Sequence, residues 1–339
     1  MKRRKHFRFE LYIALFSAIL LVLGATSPGA AADKHTINCI AGFAKSTQVT
    51  TFFIKDFIGS IQKAADQKYP GQLKMVFKGG PELVPINEQI VALEKGMIDL
   101  MYSAPGFYVS KMPELDMMNL TPLKPWEEKA VGLYDYLDQL HNQKVNAHFL
   151  VRNGIGRGFQ FGLTKPVNKL DDFKGMGIRG NPTTVQIVKT LGANPVSMGP
   201  GDVYTALERG VVQAHITPPI MLRVLGLVKV TKYLLFPQFF DTPNVLLVNL
   251  NTWKKLPKHL QDLVTEQADM HSRKFVAYNA DLEKNELEFY KSQGMKFIDL
   301  PKPEADKLLK LTYDTMVQVV MEKAPNEGKK ILEYYQKKP

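Results

Sequence analysis

Residues 171–218 constrain the fold more than any other stretch of the chain. Three apolar clusters in this stretch are short enough to be buried strands, and they lie at 176–178, 196–198 and 211–216. The two segments between these clusters have apolar residues at helical spacing and stop at Gly192 and Gly210. Strands that alternate this closely with helices form a parallel sheet, and such sheets bind ligands beyond the carboxyl ends of their strands.

Arg179 stands at the carboxyl end of the first of these predicted strands. A buried guanidinium is costly without a partner, and its planar fork matches a carboxylate in two parallel hydrogen bonds. Arg157, in a glycine-rich segment before another apolar cluster, offers the same chemistry. The residues alone leave two interpretations open for each arginine. It binds an acidic ligand, or it pairs with a structural carboxylate such as Asp171, Asp172 or Asp202.

The first third of the mature chain repeats this order of strands and helices. Strands are predicted at 36–41, 73–77 and 97–102. An amphipathic helix is predicted at 47–67, and a second one ends at Lys95 before Gly96. The octapeptide ALEKGMID at 92–99 also parallels ALERGVVQ at 206–213. Because the two octapeptides stand at equivalent points of similar units, they favour two lobes of like architecture.

A long helix is predicted towards the C-terminus, because apolar residues recur at helical spacing from about 259 to 293 without a proline. At 1.5 Å per residue it would be about 50 Å long, so it either bridges two lobes or breaks in the middle. We predict an α/β protein with two lobes. Each lobe is a mainly parallel sheet flanked by helices, and the long helix bridges them. The first lobe is expected to contain 33–153 with about 245–285, and the second 154–244 with about 286–339.

The first 32 residues have the pattern of a secretory signal peptide, with five basic residues, an apolar run and small residues before Asp33. A retained membrane anchor is the alternative, but the apolar run is short for a spanning helix. Removal of this segment, which also holds one glutamate, lowers the net charge from +11 to +7. That balance, without a dense Lys/Arg tract, does not indicate nucleic-acid binding. The signal-peptide pattern leads us to expect a periplasmic protein. Its single cysteine, Cys39, cannot form an internal disulfide.

No catalytic or metal-binding constellation stands out in the sequence. Nucleophile-elbow, zinc-protease and phosphate-loop motifs are missing, and the six histidines after residue 32 lack the spacing of metal ligands. The segment GIGRGF at 154–159 has phenylalanine where a dinucleotide loop needs its third glycine, and a strand follows it where a helix is needed. We therefore expect no cofactor, no metal and no enzymatic activity.

Four segments resemble the solute-binding proteins of tripartite ATP-independent periplasmic (TRAP) transporters. They are DDFKGMGIR at 171–179, LGANPVSMGPGDVYTALERGVVQA at 191–214, NTWKKLP at 251–257 and, more weakly, ALEKGMIDL at 92–100. The resemblance covers nearly the whole mature chain. It implies a two-lobed periplasmic protein that closes on an organic acid and delivers it to a membrane permease driven by an ion gradient.

The resemblance also implies roles for individual residues. Arg179 is expected to clamp the ligand carboxylate, and Arg157 to add a second polar contact. Thr217 falls where the family usually has an asparagine that helps to hold the ligand, so a hydroxyl replaces an amide. Thr217, Tyr102, Phe107 and Phe159 are candidates for shaping the rest of the cleft.

The expected partners are a small carboxylate ligand and the permease subunits of a TRAP transporter, and the protein itself is expected to be a monomer. A sensory receptor that passes the signal of a bound organic acid to a membrane kinase would use the same lobes, and it is the alternative. A periplasmic enzyme is the third hypothesis, and the missing catalytic sets speak against it.

Overall fold

The structure, a computed structural model, describes residues 33–154 and 158–338. The predicted signal peptide at 1–32 and the candidate Arg157 lie outside the described residues. The described chain forms two lobes, each built on one β-sheet with helices packed against it. The two-lobed α/β architecture predicted from the sequence is therefore confirmed.

The first lobe contains a five-stranded sheet. Its strands are β1 (His35–Ala41), β2 (Leu73–Gly79), β3 (Leu100–Ser103), β4 (Ala147–Asn153) and β10 (Asn244–Asn249). Their order across the sheet is β2-β1-β3-β10-β4.

The second lobe contains a six-stranded sheet. Its strands are β5 (Phe159–Leu163), β6 (Gly177–Gly180), β7 (Asn194–Ser197), β8 (Ala214–Ile216), β9 (Tyr233–Phe239) and β11 (Lys296–Asp299). Their order is β11-β9-β5-β8-β6-β7, so the stretch at 171–218 forms the β6-β7-β8 side of this sheet.

Each sheet contains one strand that runs against the others. β10 is antiparallel to both of its neighbours, β3 and β4, and β5 is antiparallel to both β8 and β9. The remaining neighbours pair in parallel, so both sheets are mainly parallel as predicted. The chain enters each reversed strand directly after it crosses between the lobes, since β5 follows β4 and β10 follows β9.

Helices cover both sheets. The α-helices are Gln48–Phe52, Gly59–Lys68, Gln89–Glu94, Pro125–Ala130, Leu133–Val145, Val185–Thr190, Val203–Glu208, Pro219–Leu222, Leu250–Lys255, Lys258–Ser292, Lys302–Lys323 and Pro325–Tyr335. The 3₁₀ segments are Ile86–Glu88, Pro105–Phe107, Pro113–Leu120, Leu170–Phe173, Pro200–Asp202 and Leu227–Lys229. Within residues 33–154 and 158–338, no helix combines the length and the apolar character needed to span a bilayer.

Two helices differ in detail from their predictions. A π-helical segment, Phe53–Ile58, joins the first two α-helices, so the helix predicted at 47–67 is continuous but not uniform. The sequence also predicts a helix at about 126–140, but the structure has two helices there, Pro125–Ala130 and Leu133–Val145, separated near Gly132, whose φ of +82° is left-handed. An α-helix cannot contain that conformation, and glycine adopts it without steric strain.

The repeated octapeptide stops its helix in the same way in both lobes. The helix Gln89–Glu94 ends before Gly96, with φ of +69°, and Val203–Glu208 ends before Gly210, with φ of +72°. These left-handed values favour glycine. The next strand, β3 or β8, then begins four residues after the glycine in each lobe. The likeness seen in the sequence is therefore also a likeness of backbone geometry.

The long helix Lys258–Ser292 is continuous over 35 residues and contacts both lobes. Leu260 and Val264 near its start lie in the core of the first lobe. Tyr290 near its end lies in a cluster with residues of the second lobe, and its hydroxyl donates to the carbonyl of Pro219. The bridging arrangement predicted for this helix is confirmed.

The C-terminal helix Pro325–Tyr335 differs from the predicted division of the chain, which put residues 286–339 in the second lobe. Its Ile331 is buried in the core of the first lobe, and Tyr335 donates to the carbonyl of Met117 there. The preceding helix, Lys302–Lys323, contacts both lobes. Its Leu308 is buried in the core of the second lobe, and its Val320 in the core of the first lobe. Sequence position alone could not indicate which lobe this apolar face covers.

Candidate functional site

A cavity of about 120 Å³ lies between the lobes. Its walls come from the first lobe (Phe43, Val49, Ala104, Gly106, Phe107, Asn119), the second lobe (Phe159, Asn181, Thr183, Pro218, Ile220, Met221) and the crossing into β10 (Thr242, Pro243, Asn244). None of these lining residues is ionisable. The wall is mainly apolar, with amides and hydroxyls as its polar groups, which is the usual character of a small-molecule site.

The two lobes touch beside this cavity. The Thr183 hydroxyl of the second lobe donates to Asp116 Oδ1 of the first lobe at 3.0 Å. The backbone of Gly106 approaches so closely that a Cβ there would lie 3.1 Å from Thr183 Oγ1. Burial raises the pKa of Asp116 to about 6, although the hydrogen bond from Thr183 and the charge of Lys323 act in the opposite direction. The two lobes are therefore in direct contact at Thr183, Asp116 and Gly106.

Arg179 on β6 is buried, with only 7% of its surface exposed. Its guanidinium donates to two backbone carbonyls, Nη2 to Met198 at 3.1 Å and, weakly, Nη1 to Ile216 at 3.5 Å. Among the described residues, Nε has no hydrogen-bond partner. No ion pair to it is found in the part of the chain that the structure describes. Burial alone lowers its pKa, since no nearby carboxylate opposes the effect.

The structural carboxylates that could have paired with Arg179 are engaged elsewhere or lie at the surface. Asp171 forms an exposed ion pair with Lys174, and Asp172 accepts hydrogen bonds from the backbone of Asn168 and Lys169. Asp202 is exposed at the start of the helix Val203–Glu208. None of these three carboxylates pairs with Arg179 in the structure. Of the two interpretations of Arg179, the structure therefore favours the one in which it binds an acidic ligand.

Arg179 is not itself among the residues that line the cavity, but it adjoins two that are. Asn181 follows it by two residues, and Pro218 follows its hydrogen-bond acceptor Ile216 by two. Parallel pairing of β6 with β8 also places His215 opposite Arg179. Burial, and to a lesser degree the charge of Arg179, lower the pKa of His215 to about 3, so this ring is neutral and adds no second cation.

Thr217 lies next to the lining residue Pro218 and is buried. Its backbone N–H donates to the carbonyl of Gln160, and its hydroxyl bonds Nδ1 of His215 at 3.0 Å. A hydroxyl can make more than one hydrogen bond, so the Thr217 hydroxyl can still bond to a ligand while it contacts His215.

The remaining candidates fall in three different places. Phe107 and Phe159 line the cavity from opposite lobes, as expected for residues that shape a cleft. Tyr102 is fully buried in β3 and stacked on Phe53 with 4.9 Å between ring centroids, and its hydroxyl has no hydrogen-bond partner among the residues that the structure describes. Arg157 lies outside the described residues.

The polar lining residues Asn119, Asn181, Thr183 and Asn244 were not among the predicted site residues. The sequence predicts Asn181 only as a helix cap before Pro182, and Asn181 Oδ1 accepts a hydrogen bond from the backbone N–H of Thr184 at 3.0 Å. Asn119 lies in the 3₁₀ segment Pro113–Leu120, which carries no periodic signal in the sequence. The start of β10 reaches the cavity because the chain crosses back into the first lobe there. The sequence predicts a return near residue 245, but it does not indicate that Asn244 faces the cavity.

A second buried arginine, Arg152 on β4, has an opposite environment. Its Nε donates to Glu128 at 2.7 Å, Nη1 to Asp241, and Nη2 to the carbonyl of Leu123 at 2.9 Å. Arg152, Asp241 and Leu123 border a larger cavity of about 540 Å³, which is also lined by Gly154 and Phe240. Its buried cation, Arg152, is already paired, and its other lining cation, Lys124, is exposed to solvent, where an ion pair with an acidic ligand contributes little. Size alone does not make it the better candidate.

No group of three or more His, Cys, Asp or Glu side chains suited to a metal ion occurs in residues 33–154 and 158–338. The chemistry available at the cavity is therefore that of hydrogen bonding, apolar contact and one buried guanidinium.

Comparison with known proteins identifies the family. The model of the DctP family, described as bacterial extracellular solute-binding protein, family 7, matches residues 43–322. The chain belongs to this family. Its members are extracytoplasmic binding proteins and not enzymes, and the resemblance to TRAP solute-binding proteins is thereby confirmed.

Solved structures of the family share the fold. A TRAP periplasmic solute-binding protein from Desulfovibrio salexigens with bound orotic acid has a TM-score of 0.78 at 18% identity, covering 89% of this chain and 98% of that one. DctP7 of Bordetella pertussis, an extracytoplasmic solute receptor binding pyroglutamic acid, has a TM-score of 0.77 at 18% identity, with 89% and 99% coverage. A monocarboxylate 2-oxoacid-binding periplasmic protein of Nostoc sp. is 28% identical over 217 residues, which are 61% of this chain and 60% of that protein.

Proposed function

We propose that this protein is the extracytoplasmic binding component of a TRAP transporter and that it captures a small organic acid between its lobes. Arg179 binds the ligand carboxylate in a salt bridge. The closed protein then delivers the acid to a membrane permease driven by an ion gradient.

The unpaired, buried state of Arg179 carries this proposal. A guanidinium in a low-dielectric site without a counter-ion is strongly unfavourable, and its partner comes with the ligand. A carboxylate fits best, because its two oxygens accept two parallel hydrogen bonds from the planar fork. Nε, which has no partner in the described chain, is available for one of them.

The cavity restricts the rest of the ligand. About 120 Å³ is small compared with the roughly 300–1,000 Å³ of ordinary ligand pockets. Because its lining residues include no ionisable group, a second charge on the ligand would be left without a partner. A small monocarboxylate with an uncharged body therefore fits best. The relatives named above bind orotic acid, pyroglutamic acid or 2-oxoacids, all of which carry a carboxyl group.

The location and state of the protein are part of the proposal. A signal peptidase removes residues 1–32, and the mature protein works in the periplasm as a monomer without binding nucleic acid. Intact-mass measurement of the protein purified from a periplasmic fraction checks the cleavage after Ala32, and sedimentation checks the monomer. A mass that retains residues 1–32 contradicts the cleavage.

Calorimetric titration of the mature protein with a panel of small organic acids tests the binding function. At least one monocarboxylate is expected to bind, and Arg179→Ala is expected to abolish its binding. Arg179→Lys should bind more weakly than the parent protein, because a point charge cannot replace the bidentate fork. Arg209→Ala, a change of the same kind at an exposed position of the same lobe, is the matched control and should bind normally. Unchanged affinity in Arg179→Ala contradicts the proposal.

Delivery is tested separately from capture. Uptake of the bound acid into vesicles that contain a TRAP permease should require both this protein and an ion gradient. Tight binding without any stimulation of uptake, together with control of a membrane kinase, would instead support the sensory alternative.

A further inference from the structure

Three strand residues of the first lobe place unpartnered polar groups on one face of its sheet, and one of them, Asn244, lines the cavity. Asn153 pairs directly with Asn244, and Tyr102 pairs with Leu246. Opposite residues of an antiparallel pair share a face of the sheet, and so do residues two apart on one strand, as Asn244 and Leu246 are on β10. Tyr102, Asn153 and Asn244 therefore point to the same side.

All three groups lack a hydrogen-bond partner in the described structure. They are Tyr102 Oη, Asn153 Oδ1 and Asn244 Oδ1, on residues that are each buried. A buried polar atom left unpaired is destabilising, so such atoms are rare and call for an explanation. Asn244 lines the cavity, and β4 ends at Asn153, on the edge where the parallel strands of this sheet present their carboxyl ends.

The orientation of the Asn153 amide is fixed by a relay behind it. His271 on the long helix contacts Asp56 Oδ2 through Nδ1 at 2.7 Å, and its Nε2 lies 3.1 Å from Asn153 Nδ2. Burial raises the pKa of Asp56, but the hydrogen bonds and charges of His271 and Lys274 together lower it by more, so the net shift is downward. This carboxylate is therefore ionised and acts as an acceptor. Nδ1 of His271 must therefore carry the proton.

The neutral state of His271 determines what Asn153 presents. Burial lowers the pKa of His271 more than the neighbouring Asp56 raises it. Phe52 and Phe57, each with its ring centroid 5.3 Å from the imidazole, form apolar walls. A neutral ring with its proton on Nδ1 accepts at Nε2. The Asn153 amide must turn its N–H group towards it, and this leaves Oδ1 as a fixed acceptor that points away from the relay.

Tyr102 supplies the complementary group. Burial raises its pKa above the ordinary value, while a hydrogen-bonding interaction with the Asn153 side chain acts in the opposite direction. The two side chains are therefore neighbours, although no hydrogen bond of good geometry joins them in the described structure. The protonated hydroxyl can donate, whereas Asn153 Oδ1 can only accept. Together they match a ligand hydroxyl, which donates one hydrogen bond and accepts another. A carbonyl in the same place would leave Asn153 Oδ1 unpaired.

We propose that Asn153 and Tyr102 form a hydrogen-bonding subsite of the first lobe for a hydroxyl group of the bound acid. Asp56 and His271 are positioning residues that hold the Asn153 amide in its accepting orientation. This inference rests on the proposed function, because Arg179 of the second lobe holds the carboxylate of the same ligand. The protein then selects hydroxy acids over oxo acids of the same carbon skeleton.

Matched acid pairs test the subsite. Calorimetry compares lactate with pyruvate and 3-hydroxybutyrate with acetoacetate, so that the hydroxyl is sampled at two positions. The parent protein should bind the hydroxy member of at least one pair about tenfold or more tightly, since the oxo member leaves a buried acceptor unpaired. Asn153→Leu should reduce this preference to within about twofold. Tyr102→Phe, which removes only an unpartnered hydroxyl and is not expected to unfold the protein, should weaken hydroxy-acid binding.

The relay has its own readouts, which do not depend on the stability of Asn153→Leu. Imidazole ¹⁵N resonances of the parent protein should show the Nδ1–H tautomer of His271. His271→Gln can still donate to Asp56 and accept from Asn153, so it should keep the hydroxy-acid preference. His271→Phe should lose that preference while still binding oxo acids.

The outcomes separate the two proposals. Acids that bind through Arg179 but show no hydroxy-acid preference, or a preference that survives Asn153→Leu and His271→Phe, overturn the subsite and leave the proposed function in place. The Nε2–H tautomer of His271 also overturns it. If no acid of the panel binds the parent protein, the proposed function fails and the subsite with it.

Discussion

Arg152 and Arg179 are both buried arginines on β-strands, one in each lobe, yet their surroundings differ completely. Arg152 has two carboxylates, Glu128 and Asp241, and a backbone carbonyl around its guanidinium. Arg179 has backbone carbonyls alone, and its Nε has no partner in the described chain. Burial therefore does not separate the arginine that we propose as the ligand-binding residue from the one that is paired within the protein. The partners of the guanidinium in the described chain do.

The largest expected effect is on the paired arginine. Arg152→Met leaves Glu128 and Asp241 buried without their cation, and this should lower the free energy of unfolding by about 3–5 kcal/mol. Urea denaturation of the ligand-free protein measures the change, and Arg209→Met at the surface should stay within about 0.5 kcal/mol of the parent protein. A loss below about 1 kcal/mol for Arg152→Met would remove the contrast with Arg179.

Asp116 tests the same contrast from the side of the acid, since it is a buried carboxyl without an ion pair in the described chain. Its pKa of about 6 exceeds the ordinary value of roughly 4, so at pH 5 the folded protein holds a proton that the unfolded chain releases. Its contribution to the free energy of unfolding is full below about pH 4 and is lost as the pH rises through 6. Asp116→Asn should reduce the difference in unfolding free energy between pH 4 and 7 by about 2 kcal/mol. An unaltered pH profile would contradict the raised pKa.

Arg179→Met should have a smaller effect on stability, and of the opposite sign to Arg152→Met. It replaces an unpaired buried charge by an apolar side chain of similar length, so the ligand-free protein should gain about 1 kcal/mol. The same urea denaturation measures it, without any organic acid present. A loss of more than about 2 kcal/mol would show that Arg179 is as structural as Arg152.

Thr183→Val should have the smallest effect. It removes the hydrogen bond to Asp116 that joins the lobes beside the cavity, without changing the cavity wall by more than one atom. At pH 5 Asp116 is mostly protonated, since its pKa is about 6, so this is a neutral hydrogen bond that contributes about 1 kcal/mol, and affinity for the bound acid at that pH should fall roughly fivefold. Calorimetry with an acid that the parent protein binds measures the change, and equal affinity would mean that this contact does not stabilise the closed state.

The repeated features of this chain could be predicted from local sequence, and the structure bears them out. The helix stops at Gly96 and Gly210, the alternation of strands and helices around them, and the long helix all follow from periodicity and from the conformational freedom of glycine. Arg179 stood out for a similar reason, because a charged residue at the end of an apolar strand is unusual. Its lack of a partner is a three-dimensional fact that no spacing reveals.

The rest of the site could not be predicted, because distant segments build it. Asn119 lies in an aperiodic 3₁₀ segment, and Asn244 reaches the cavity only through the second crossing between the lobes. Asn153 gains its fixed orientation from His271, 118 positions later in the chain. The Arg152 cluster has the same origin, since Glu128 and Asp241 flank it from both directions along the sequence.

The position of β10 determines when the first lobe can be completed. It lies between β3 and β4, and β4 has no other strand neighbour. Asp241, just before β10, lies 89 positions from Arg152, and closing such a loop costs roughly 4 kcal/mol of chain entropy. Until that loop closes, β4 has an unpaired edge and Arg152 lacks one of its carboxylates. Five strands of the second sheet, β5 to β9, come from the uninterrupted stretch between the two crossings. The first sheet therefore depends on a contact between distant segments, whereas most of the second sheet pairs within one continuous stretch of chain.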